Sequence, residues 1–347
     1  MLGARKREER PSGGSHTPGF VSRVLVLLLG SLSAQPVFAA QGTIQLVGSY
    51  RTPDEAKGVH VSGSLAYVAA YSSGLRILDV SDPTSPTFVG SCSWPGSAWR
   101  VFVSGHTAYV TGGGGLQVIN VSDPATPVRI GSCQLYGMAY DVFVSGSLAF
   151  VADGSGGQFY VVDVSMPSSP RLRGSYDTSD IAYGVSVSGN LAFVSYYSDG
   201  LRIIDVTNPD APAPRGRCDT PGHGYAVCVS SGFAYVADYG SGLQVIAVSN
   251  PTSPNIRGSS PWIGLAHSVA VSGTLAYVGN TDGDLYVIDV TNPARPTPLA
   301  NYGMGGWAED VYLSGGLVYV ADGRGGLKIL RYTPDRRTSA KRWALYE

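Results

Sequence analysis

The feature that most constrains this chain is a seven-fold repeat. Val-x-Val-Ser-Gly-like segments begin at Val59, Val101, Val142, Val185, Val227, Val269 and Val311, spaced by 42, 41, 43, 42, 42 and 42 residues. A fixed period of this length means that one supersecondary unit recurs and that neighbouring units bury a shared core. Each segment is followed by the same pieces, seen in the fourth unit as NLAFVSYY, then SDGLRIIDVTNPDAP, then RGSY. The breaks between them carry turn chemistry: Ser-Gly after the first piece, a Gly-rich loop such as YSSG after the second, and a Pro-bracketed turn such as SDPTSP after the third. Four short strands per unit at this period predict propeller blades, in which radial repetition protects the sheet edges. Apolar residues on both sides of pieces such as LAYVA and LRIID fit sheets covered on both faces.

Seven first strands require seven outermost strands. These are LVGSY (46–50), FVGSC (88–92), RIGSC (129–133), LRGSY (172–176), PRGRC (214–218), IRGSS (256–260) and PLANY (298–302). The first of them precedes any blade, and the seventh blade, from Asp310 to about Arg331, lacks one. The expected fold is therefore all-β: a seven-bladed propeller of four-stranded antiparallel blades over residues 41–332, its ring closed by the N-terminal TIQLVGSY.

The segments GLRILDVSDPTSP (74–86), GLQVINVSDPATP (115–127), GLRIIDVTNPDAP (200–212) and DLYVIDVTNPARP (284–296) closely resemble the LVIVD repeat of exported and surface propeller proteins. The resemblance covers nearly all of the chain after residue 40. It implies the propeller fold and carries over no catalytic residue.

Residues 1–40 read as a secretory signal: basic Arg5, Lys6, Arg7, Arg10 and Arg23, the apolar run VLVLLLGSLSA, and small residues near a cleavage site at Ala39 or Ala40. The run is too short to span a bilayer, and no later stretch is apolar enough to do so. With no cysteine before Cys92, a lipid-modified cysteine is excluded at that site. The expectation is an exported chain, secreted, periplasmic or at the cell surface, soluble once cleaved and ending in a short basic tail (333–347). Residues 1–40 hold five of the 24 basic and two of the 25 acidic side chains, so the remainder carries a net charge of −4. A mildly acidic body argues against nucleic acid or anionic membrane as partner.

Strand order places the loop leading into each inner strand, and the loop between second and third strands, on one face of the disk. Two residue columns there vary while the Val columns do not. The residue two before each inner Val gives Lys57, Trp99, Tyr140, Tyr183, Tyr225, His267 and Glu309. The residue immediately before it gives Gly58, Arg100, Asp141, Gly184, Ala226, Ser268 and Asp310. Aromatics mixed with a few charges suit a ligand pocket with polar anchors; the same aromatics also suit capping of inter-blade packing. From these columns Lys57, Trp99, Arg100, Tyr140, Asp141, Tyr183, Tyr225, His267, Glu309 and Asp310 are the candidate ligand-binding residues.

Catalytic signatures are missing from the sequence: it has no G-x-S-x-G elbow, no H-E-x-x-H and no phosphate loop. His60, His106, His223 and His267 share no metal-binding spacing. The acidic turns DGSGG (153–157), NTDGD (280–284) and DGRGG (322–326) could offer oxygens to calcium, but they lack the register of a dedicated loop, and Asp or Asn beside Gly already suits a tight turn. Cys92, Cys133 and Cys218 occupy one repeat position in different blades, and Cys228 lies in an inner strand, which sets them too far apart for disulfides. Three readings stay open: a non-enzymatic binding or scaffold propeller for protein, peptide or glycan; a lactonase-like hydrolase, with or without a divalent metal ion, using Asp141, His267, Glu309 and Asp310; and a structural element of an extracellular array.

Overall fold

Period-2 alternation in the middle strands divides each blade between two cores. In blade one, Leu75 and Ile77 pack with Trp94, Ala98 and Val101 of blade two, whereas Leu78 packs with Tyr319, Leu327 and Ile329 of blade seven. Successive side chains point to opposite faces of a strand, so one strand serves two inter-blade cores and no blade has a solvent face. The computed structural model describes residues 41–154 and 156–335. The leader segment 1–40 and the last residues, 336–347, lie outside the described residues.

The strands form seven four-stranded antiparallel sheets. The six regular blades run in chain order from inner to outer strand. The inner strands are Gly58–Ser62, Ala98–Ser104, Ala139–Ser145, Ala182–Ser188, Ala226–Ser230, Ala266–Ser272 and Asp310–Ser314. Blade seven takes its outermost strand from the other end of the chain: Gly42–Tyr50 lies antiparallel to Leu327–Pro334, with Gly42 opposite Pro334 and Tyr50 opposite Leu327. The sole helical element among the described residues is a 3-10 turn at Pro261–Ile263, and no helix there is long and apolar enough to cross a membrane.

The Gly repeated in the outermost strands is explained by contact between blades. A Cβ on Gly216 would lie 2.1 Å from the Pro251 carbonyl oxygen, in the Pro-bracketed turn of the next blade. Gly48 of the closing strand meets Pro83 of blade one at the same distance. The matching residue in blade six is Ala300. Its neighbour, blade seven, has no turn between its third and fourth strands, because those strands come from opposite ends of the chain. Alanine therefore stands where the facing turn is missing.

Candidate functional site at the channel mouth

The loops leading into the inner strands meet the loops between second and third strands through isolated bridges, such as Tyr71 with Ala98 and Tyr239 with Ala266. This places both loop sets on one face, at the mouth of the central channel. In blades two, three, four and six the pairing register skips one residue at the start of the inner strand. The skipped residues are Trp99, Tyr140, Tyr183 and His267. A bulge re-aims its extra residue, and here all four side chains face the mouth.

All seven residues of the first column line one cavity of about 300 Å³, with Tyr239, Thr281 and Trp307 on its wall. The rings stand side by side, each bridging to the next blade: Trp99 to Tyr140 at 5.2 Å, Tyr140 to Tyr183 at 4.8 Å, Tyr183 to Tyr225 at 4.5 Å and Tyr225 to His267 at 4.8 Å. The arc thus joins five blades, and its packing role and its place in the cavity wall coexist. Burial, reinforced by neighbouring phenols, raises the Tyr183 and Tyr225 hydroxyls above their ordinary range, so they remain protonated hydrogen-bond donors at neutral pH. Burial, helped by the positive Arg100, pushes His267 down to about 3 and keeps it neutral.

The arc ends at an ion pair. Lys57 Nζ lies 2.6 Å from Glu309 Oε1 and 3.0 Å from Glu55 Oε2, and 5.1 Å from the Trp99 ring centre, a cation–π distance. Burial works against the Lys57 charge, but the two carboxylates hold its pKa above the ordinary value.

The second column ties neighbouring blades together beside this cavity. Arg100 extends from blade two and donates from Nη1 to the Lys57 carbonyl and from Nη2 to the Glu309 carbonyl, the latter at 2.8 Å. Its Nε lies 3.9 Å from Asp141 Oδ1 and 3.8 Å from Asp310 Oδ1. Each of those carboxylates bonds the backbone N–H of the following residue and that of the next blade. Asp141 accepts from Val142 and Val185, both at 2.8 Å; Asp310 accepts from Val311 at 3.0 Å and Val59 at 2.9 Å. Burial pushes Asp141 up to about 6, opposed by Arg100 and these N–H groups. In the same column Ser268 Oγ donates to the Ala308 carbonyl at 2.8 Å. Gly58 leaves space for the next strand, since a Cβ there would lie 2.7 Å from the Trp99 carbonyl oxygen.

A second cavity of about 190 Å³ includes Arg100, Asp141 and Asp310 in its lining, with His60, Phe102, Phe143 and Tyr312. This deeper group follows the inner Val in each blade and was not singled out from the sequence, though it forms a column in the same way. Burial lowers His60 to about 4, and its Nε2 lies 3.4 Å from the Tyr312 hydroxyl.

The acidic turns are occupied by local bonds. Asp153 accepts from the Gly137 N–H at 3.0 Å, Asn280 donates to the Ile263 carbonyl at 3.1 Å, and Asp322 pairs with Lys328 at 3.0 Å. Among the described residues no group of three or more His, Cys, Asp or Glu side chains is placed to hold a metal ion. The four cysteines are free thiols.

Fold and site together define a seven-bladed β-propeller whose mouth cavity is rimmed by aromatic rings, with Arg100 tying neighbouring blades beside it. The LVIVD repeat pattern matches residues 53–93, 95–134, 136–178, 181–220, 221–260, 263–303 and 305–330. The chain belongs to the LVIVD repeat family. No curated protein matches the sequence. Among solved structures it is similar to the Cps50 (Swd1) β-propeller domain of Myceliophteria thermophila, with a TM-score of 0.68 and 13% identity over 84% of this chain and 100% of that one. It is also similar to the computationally designed Ika8 protein, with a TM-score of 0.62 and 9% identity over 83% of this chain and 99% of that one. At these identities the likeness is one of fold.

Proposed function

We propose that this protein is an exported, non-enzymatic binding propeller, working at the cell surface or in the periplasm, that holds its ligand at the channel mouth. The observation that carries this reading is the cavity of about 300 Å³ lined by Lys57, Trp99, Tyr140, Tyr183, Tyr225, His267 and Glu309, a size and lining typical of ligand pockets. Export rests on the basic, apolar and small-residue order of residues 1–40.

The hydrolase reading draws on Asp141, His267, Glu309 and Asp310. Asp141 and Asp310 each accept two backbone N–H bonds and face Arg100, while Glu309 is paired with Lys57. Groups so engaged serve the framework better than proton transfer, which favours binding over catalysis.

The test is to probe peptide and glycan arrays with the full chain and with Trp99→Ala and Tyr183→Ala. The binding reading expects a ligand that is lost in both variants while the fold persists. Turnover of lactone or ester substrates that Asp141→Asn abolishes would overturn it. Thermal unfolding in EDTA and then with calcium provides a second check, since a bound ion raises the midpoint by mass action; a calcium-dependent shift would move the balance to the metal-assisted enzyme.

A further inference from the structure

The mouth cavity does not end at the axis. A larger neighbour, of about 360 Å³, opens over the seam between blades seven and one and shares Trp307 and Glu309 with it as a common wall. The seam cavity is further lined by Glu55, Arg324 and the backbone of Gly305 and Gly306. Trp307 is 59% exposed although its indole is among the largest apolar surfaces a residue can present. It is not alone: of the five large aromatics exposed among the described residues, Tyr71, Tyr136, Trp262 and Trp307 belong to mouth-face loops, and only Phe88 lies elsewhere. Exposed aromatics gathered on one face mark a contact surface.

The charges at the seam cancel. Arg324 Nε bonds Glu55 Oε1 at 3.0 Å, Glu55 Oε2 faces Lys57 at 3.0 Å, and Lys57 pairs with Glu309 at 2.6 Å. Two cations and two anions in one chain leave no net charge to select an ionic ligand. They do fix planar donors and acceptors in place, as bidentate hydrogen bonding requires. Each inner strand is the terminal strand of its sheet, paired on one side only, and on its other side the Val59 and Val185 N–H groups are already taken by Asp310 and Asp141; the mouth itself is built of loops, which offer an extended peptide no strand to join.

We propose that the two cavities form one track for a neutral oligosaccharide, with a sugar ring packed on the Trp307 indole and its hydroxyls bonded by Arg324, Glu55 and the tyrosine hydroxyls at the mouth. The apolar C–H face of a pyranose suits an exposed indole, and its hydroxyls suit a neutral network of paired charges. This rests on the binding reading above and names its ligand class.

The test is affinity electrophoresis of the full chain through native gels containing laminarin, hydroxyethylcellulose or galactomannan, alongside Trp307→Ala and Arg324→Ala. Both residues are exposed, with the Arg324 side chain 89% accessible, so the variants should keep the wild-type unfolding midpoint. The proposal expects retardation in at least one gel, an at least tenfold (~1.4 kcal/mol) weaker affinity in Trp307→Ala, and little change between about 0.05 and 0.5 M salt. Retardation unaltered in both variants would overturn the location, and a steep fall with salt would overturn the neutral ligand class. If no polysaccharide retards the chain but a peptide on the array binds and is lost in Tyr183→Ala, the glycan assignment fails while the binding reading stands. If neither class binds, both fail.

Discussion

Lys57 and Glu309, 252 positions apart in the chain, meet at 2.6 Å at the channel mouth. They belong to the first and last blades, so the seam that the N-terminal strand closes at the rim is also pinned beside the axis. The pair is well buried, with side-chain exposures of 8% and 5%. Breaking such a pair from one side leaves an uncompensated charge, whereas removing both partners can be nearly neutral. Lys57→Met should therefore destabilise the protein by about 3–5 kcal/mol, and Lys57→Met combined with Glu309→Leu should recover a large part of it. Urea unfolding of the single and double variants measures both.

Asp141 gives a pH signature with a definite sign. Its folded pKa, raised from 3.8 to about 6, means that the folded state holds this proton more tightly than the unfolded chain. The stability it contributes is fully present below pH 4 and is lost as pH rises through 6. The unfolding free energy of wild type relative to Asp141→Asn should fall by up to about 3 kcal/mol over that interval and stay level above it. His267 works in the opposite direction. Held neutral down to about 3, it costs stability as pH falls below 6.5, a trend that His267→Phe should remove. Equilibrium unfolding at a series of pH values separates the two.

The close approach of outer strands to neighbouring turns sets a third expectation. Gly216→Ala places a methyl group 2.1 Å from the Pro251 carbonyl oxygen, backbone that cannot simply rotate away, and should cost about 1–3 kcal/mol. The reverse change, Ala300→Gly, faces no turn and should cost only about 1 kcal/mol, through chain entropy and lost packing. Thermal melts of the two variants test the contrast.

Deleting residues 41–50 should leave the Leu327–Pro334 strand with an open edge and the blade seven core without Ile44, Val47 and Tyr50, which pack against it. The truncated chain should unfold at a much lower temperature and self-associate, because exposed strand edges recruit other chains. A synthetic peptide of residues 41–50 should raise the midpoint, with the logarithm of its concentration once above its Kd; a midpoint unmoved by truncation would contradict the closure.

The fold was legible because the repeat displays it seven times. Each outer strand from LVGSY to PLANY lies where the pattern put it, including the N-terminal strand, whose placement follows from counting strands that lack a blade. Column comparison also located the mouth residues, since variation against constant Val positions marks side chains outside the shared cores. It could not show how far Arg100 reaches: its bonds to Lys57 and Glu309 depend on the curvature of the ring, which no single repeat contains. Trp307, Arg324 and Glu55 went unnoticed for a different reason. Glu55 and Trp307 share one repeat position, four before the inner Val and outside the two columns compared; Arg324 sits in a second-to-third-strand loop whose length differs from blade to blade, and only the closed seam brings the three together.

The order in which the chain is made gives the closing strand a further meaning. Gly42–Tyr50 leads the blades in sequence, yet its partner, Leu327–Pro334, is the last strand among the described residues. The first strand of the propeller to be made must wait, unpaired, for the last, and this longest-range contact is the slowest kind to form. Closure therefore acts as a completeness check: a chain interrupted anywhere before residue 327 keeps two raw edges and is marked as unfinished by its own structure.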